Sequence, residues 1–167
     1  VLAPYSEESH LALWVTGKKV VNSWAHPDED SSVYELKAYV ENIFARLGLR
    51  MHDLVIGTLT DDVFASALTI HTRGGKCLAT LGVVTRKLLK PFDIEREVYY
   101  ADIHWKEMLK AIRNVKVSYR ELSKFPAVKR DLALLLDKKV QFAEIEKIAY
   151  ETEKKLLKDV ALFDVYE

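Results

Sequence analysis

FPAVKRDLALLLD, residues Phe125 to Asp137, sets two bases and an acid against a run of four leucines and an alanine. Pro126 biases Phe125 toward extended backbone, because its ring crowds the preceding residue out of the helical region. Period-two alternation then places Arg130, Leu132, Leu134 and Leu136 on one face and Lys129, Asp131, Ala133 and Leu135 on the other. A strand over Val128 to Leu136 is expected, with its leucine face turned onto a helix. That helix reads from about Phe142 to Leu157, with Ile145, Ile148, Ala149, Thr152 and Leu156 inward and Glu151 and Lys155 at the supportive i, i+4 spacing. Val160 to Tyr166 reads as a second strand. Two strands around one helix fall short of the roughly three strands that make a sheet independently stable. The unit looks unfinished.

Upstream the period differs. HLALWVTGKKVV (His10 to Val21) reads as strand, glycine turn, strand. Ser32 with Glu35 three residues on matches a capping box, and Val33, Leu36, Val40, Ile43, Phe44 and Leu47 follow at helical spacing up to Gly48, a C-cap glycine. FASALTIHT and KCLATLGVV are strand runs joined by Arg-Gly-Gly, a hairpin signal. EVYYADI is a third strand leading into the short helix HWKEMLKAI, which sets Trp105, Met108, Leu109 and Ile112 on one face. Val115 to Lys124 has no period and reads as a connector. The fold class is therefore α+β, with residues 1–116 and 125–167 as separate units and 117–124 as the linker.

Apolar residues form 49% and charged residues 30% of the 167, the balance of a globular protein. No run approaches the roughly 18 apolar residues of a membrane span, and no signal peptide is visible. A single cysteine, Cys77, excludes an internal disulfide framework and suits a reducing, cytoplasmic setting. The zero net charge hides an acidic front, ten acids against five bases over Val1 to Ala65, and a basic waist, eight bases against two acids over His104 to Arg130. Such asymmetry suits a polyanion partner, and equally a solvated helix face and a polar linker.

Catalytic patterns are sparse. Cys77 and His71 flank a hairpin turn without a third orienting group, so a small hydrophobe is the better reading of the cysteine. The five histidines lack HxxxH or HExxH spacing, and no glycine-rich phosphate loop is present. No catalytic residue, no metal site and no cofactor is expected of this chain alone. Trp14, Trp24 and Trp105 read as core or interface anchors.

FPAVKRDLALLLD and, one helix later, LLKDVALFDVYE (Leu156 to Glu167) resemble the FPxxxRDL opening and the LFDVY second strand of the ferredoxin-fold anticodon-binding domain that ends the phenylalanyl-tRNA synthetase beta chain. SSVYELKAYVENIFARLGL and CLATLGVVTRKLLKPFDIEREVYYADIHW resemble that family's upstream segments. The resemblance implies two pieces. The first is the second half of an antiparallel, class II synthetase-like domain without catalytic residues, having VYYADIHWKEMLKAI where a working core has a glycine-rich strand and an ATP-binding arginine. The second is a truncated ferredoxin-like βαβ unit whose missing third strand inserts between the two present.

For the whole enzyme the resemblance implies ATP, magnesium, tRNA(Phe), and two alpha and two beta chains. Lys124, Lys129, Arg130 and Tyr166 are then the candidates for tRNA contact, by phosphate pairing and base stacking. Arg130 with Asp131 reads more readily as a cap and ion-pair set fixing the strand entry, which leaves Lys124 and Lys129 as the better RNA candidates. The remaining alternative is a protein-interaction scaffold without RNA contact.

Overall fold

The computed structural model describes residues 5–116, 118, 119, 121 and 124–166, so half of the 117–124 linker (117, 120, 122 and 123) lies outside the described residues. The chain forms two compact units, Val1–Ser118 and Tyr119–Glu167.

In the first unit the elements are β1 (His10–Thr16), β2 (Lys18–Val20), β3 (Glu29–Asp30), α1 (Val33–Arg46), β4 (Val55–Leu59), β5 (Phe64–His71), β6 (Cys77–Val84), α2 (Arg86–Leu89), β7 (Val98–His104) and α3 (Trp105–Ile112). Five strands make one antiparallel sheet in the order β1-β7-β6-β5-β4, and β2 pairs with β3. The β5-β6 hairpin turns as its sequence requires, with Gly75 at φ +80° donating its amide to Thr72. The expected β1-β2 hairpin does not form: Gly17, at φ +82°, bends the chain so that β1 pairs with β7 and β2 with β3. Strand β4 was not expected from the sequence, where Gly57 interrupts a short run.

Helix α1 starts at Ser32, whose hydroxyl accepts from the Glu35 amide. The reciprocal half of the box is replaced, because the Glu35 carboxylate accepts from Tyr39 Oη at 2.6 Å instead. At the other end Gly48 donates to Ala45 O and Leu49 donates to Phe44 O, a Schellman closure around the positive φ of Gly48. Leu36, Val40 and Phe44, one stripe at i, i+4, i+8, are fully buried against Ile70, Leu78, Ala79, Leu81, Tyr99, Ala101 and Ile103. Met108 of α3 joins them, whereas Leu109 stays exposed. This core lies under α1 and α3. On the other face a smaller cluster, Val84, Leu89 and Val98, abuts Tyr100, which stacks between Trp14 (centroids 4.1 Å) and Phe64 (5.8 Å).

In the second unit only α4 (Phe142–Thr152) is regular among the described residues. Gln141 and Glu144 cap each other's backbone amides. The helix stops short of Leu157 because the Glu153 carboxylate accepts from the amides of Lys155 (2.7 Å) and Leu156 (2.9 Å), holding a non-helical turn where the Glu151–Lys155 pair was expected. Phe142, Ile145 and Ala149 are half-buried, but Ile148 is exposed. Neither Val128–Leu136 nor Val160–Tyr166 forms a ladder. A strand exists only through its neighbour's hydrogen bonds, and in a split βαβ the neighbour shared by these two is the third strand.

Candidate nucleic-acid interface

Lys124, Lys129 and Arg130 all lie in the second unit, on the irregular segment ahead of α4, and all three are exposed. None forms a salt bridge with a described residue. The Arg130–Asp131 ion-pair reading is thereby corrected. It rested on leucines buried beside the pair, yet Leu132 is 75% and Leu135 102% exposed. Without buried neighbours there is no low-dielectric environment to favour pairing. The alternation survives in weaker form, since Leu134 and Leu136 are more covered than Leu135.

Tyr166 is 91% exposed, and its phenol pKa is raised, chiefly by a hydrogen bond to Asp164. The segment thus offers three cations without a described acidic partner and an open aromatic ring, which are the groups that meet phosphates and unstacked bases. The structure does not place Tyr166 within reach of the cations by any described contact.

Other sequence candidates resolve differently. Cys77 Sγ donates to Ala79 O at 3.6 Å and lies 4.0 Å from Thr80 Oγ1, so the thiol is turned away from a nucleophile–base pairing with His71, although the two residues face each other across the hairpin. Trp105 is half-buried on the core, Trp14 is 61% exposed and Trp24 100% exposed, which removes the core reading for the latter two. A cavity of about 360 Å³ in the first unit is lined by Gly17, Lys18, Asp30, Ser31, Arg96, Glu97 and Tyr99. Lys18 lies 2.8 Å from Asp30, and that contact, chiefly as a hydrogen bond, lowers the carboxyl pKa. The cavity's two carboxylates are engaged, Asp30 by Lys18 and Glu97 by the Tyr99 hydroxyl.

One cluster escaped the sequence reading. His10 Nδ1 lies 2.8 Å and 3.0 Å from the two Asp102 carboxylate oxygens, and the His10 and His104 rings are 4.7 Å apart. The Asp102 contact is the main cause of a raised His10 pKa. Local spacing carries no trace of this group, because its members sit on β1 and β7 and meet only through strand pairing.

Residues 3–105 match the family profile described as "Phenylalanyl tRNA synthetase beta chain CLM domain", which is more than half of the chain. The chain belongs to the phenylalanyl-tRNA synthetase beta chain family. Residues 123–167 match a second profile, "Ferredoxin-fold anticodon binding domain", over the segment that carries Lys124, Lys129, Arg130 and Tyr166. Among curated relatives, all called phenylalanine–tRNA ligase beta subunit, that of Bacteroides thetaiotaomicron is 78% identical over the whole chain. That of Porphyromonas gingivalis is 49% identical over 99% of the chain, and that of Syntrophotalea carbinolica 32% over 96%. The chain spans 20% of the length of each of these relatives. No helix among the described residues is long and apolar enough to cross a membrane.

Proposed function

We propose that the chain is a non-catalytic part of a cytoplasmic phenylalanine–tRNA ligase, serving as scaffold for assembly with the alpha chain and as a contact to tRNA(Phe). The five-stranded antiparallel sheet with α1 and α3 would be the second half of a class II synthetase-like domain that has lost its chemistry. ATP and magnesium would serve the whole enzyme, an assembly of two alpha and two beta chains, outside this chain. The observation that carries the RNA contact is the set of exposed cations Lys124, Lys129 and Arg130, without a described acidic partner, inside the anticodon-binding match. An exposed cation gains from a phosphate mainly by releasing counterions, so its removal is read best as a change in salt dependence.

In the complete enzyme, Lys124→Ala/Lys129→Ala should weaken tRNA(Phe) binding and reduce the slope of log Kd against log salt by about 0.7 for each single-strand phosphate left without its lysine. An unchanged slope refutes the role of both lysines.

A second reading, scaffold only, is favoured by the exposure of Trp14 and Trp24, because large aromatic groups left open on a folded unit are typical interface anchors. Under it Trp24→Ala weakens alpha-chain association while the tRNA salt slope of the lysine variant stays that of the parent enzyme.

A further inference from the structure

The geometry points to a binding site for one borderline divalent transition metal ion, of the zinc class, formed by His10, Asp102 and His104 on the sheet face opposite α1 and α3.

Three features of the backbone build it. His10 of β1 stands directly opposite His104 of β7. The Trp105 amide donates to the Ser9 carbonyl at 3.0 Å, so residues 9 and 105 are the hydrogen-bonded pair and 10 and 104 the neighbouring non-hydrogen-bonded pair. Side chains stand closest at such a pair. Asp102, two residues before His104, falls on the same face, and its carboxylate reaches diagonally to His10. One ligand atom from each of the three residues lies within 4.8 Å of the others. A tetrahedral ion with bonds of about 2.1 Å needs its ligands roughly 3.4 Å apart. The remaining closure is within the reach of side-chain rotation, since His10 is exposed.

The donor set selects the ion. Two imidazoles and one carboxylate suit zinc, copper, nickel or ferrous iron, whereas magnesium and calcium prefer oxygen alone. Three protein ligands would leave one position for water or for an outside ligand. A supporting shell is also present. With His10 Nδ1 directed at Asp102, its Nε2 lies 3.4 Å from Glu8 Oε2. A carboxylate on the far nitrogen fixes which nitrogen is free to bind the metal and makes it a stronger donor. A plain His–Asp ion pair would account for His10 and Asp102, but it gives no role to the apposed His104 ring or to Glu8.

The test is calorimetric titration of the full chain with Zn²⁺ in a non-coordinating buffer. One ion per chain is expected, with affinity reduced at least tenfold in His10→Ala and again in His104→Ala, and about tenfold in Glu8→Gln. Binding unchanged in the His10→Ala/His104→Ala double variant would overturn the site and move the ion to Cys77 or to other histidines. Absence of saturable binding overturns it as well. Should the double variant lose its fold by circular dichroism, Co²⁺ added to the parent chain decides. Paramagnetic shifts on the ring protons of both His10 and His104 are expected, and shifts confined to His26, His52 or His71 refute the assignment.

Discussion

At the scale of single residues, two positions carry consequences out of proportion to their size. A Cβ on Gly82 would collide with the Ser66 carbonyl oxygen and sit 2.7 Å from the Cα and Cβ of Ala67. The register shift in β5 between Phe64 and Ser66 brings that backbone close, and backbone cannot rotate away as a side chain can. Gly82→Ala should therefore cost about 3 kcal/mol, read as a lowered denaturant midpoint; a loss under about 1 kcal/mol would mean that β5 yields.

Tyr99, packed in the main core, donates to the Glu97 carboxylate at 2.7 Å. Burial first, and then that bond, push its pKa up to about 12. An unfolded tyrosine ionises near pH ~10, so this stabilisation is complete below about pH 10 and is lost as the pH climbs toward 12. The unfolding midpoint should fall more steeply over that interval in the parent chain than in Tyr99→Phe. Equal slopes would show that the phenol titrates as it does in water.

At the scale of elements, α1 is legible in detail and can be taken apart piece by piece. Ser32→Ala removes the side-chain hydrogen bond to the Glu35 amide, which is left with the Ser32 carbonyl alone, and should cost about 1 kcal/mol. Phe44→Ala empties a fully buried site and should cost about 3–5 kcal/mol. Gly48→Ala combines a disfavoured backbone, φ +82°, with a Cβ placed 2.5 Å from Val115 Cγ1. It should exceed the Ser32 effect in the same chemical denaturation series. Ser32, the Leu36-Val40-Phe44 stripe and Gly48 announce this helix because each acts through neighbours within a few residues.

The β5-β6 hairpin is legible for the same reason. What the sequence hides is non-local. β1 turns away from β2 at Gly17 and finds its partner some 90 residues along the chain, and nothing local to His10 foretells Asp102 or His104. The helix facing is misread at Ile148, Thr152 and Leu156, all exposed in a unit that forms no ladder among its described residues. The three cations of the candidate RNA segment are legible as charge; their lack of a described ion-pair partner is not, because it depends on where Asp131 and the leucines go.

At the scale of the whole molecule, the two units differ in what holds them. The first closes a five-stranded ladder over a shared core, while the second has one capped helix and two segments without regular structure or ladder partners among the described residues. Hydrogen exchange should separate them: amides of β6 protected, amides of Val128–Leu136 exchanging orders of magnitude faster. If the ferredoxin-type arrangement holds, a beta chain of the relatives' full length supplies the intervening strand, and the same amides become protected there. Persistently fast exchange in that longer protein would count against the split βαβ order. The exposed leucines of this segment also govern how the 167-residue chain behaves in a tube. An apolar strand sequence with unmet N–H and C=O groups is a template for its own copies, so self-association by edge pairing should set in as concentration rises, and charge introduced at Leu135 should suppress it.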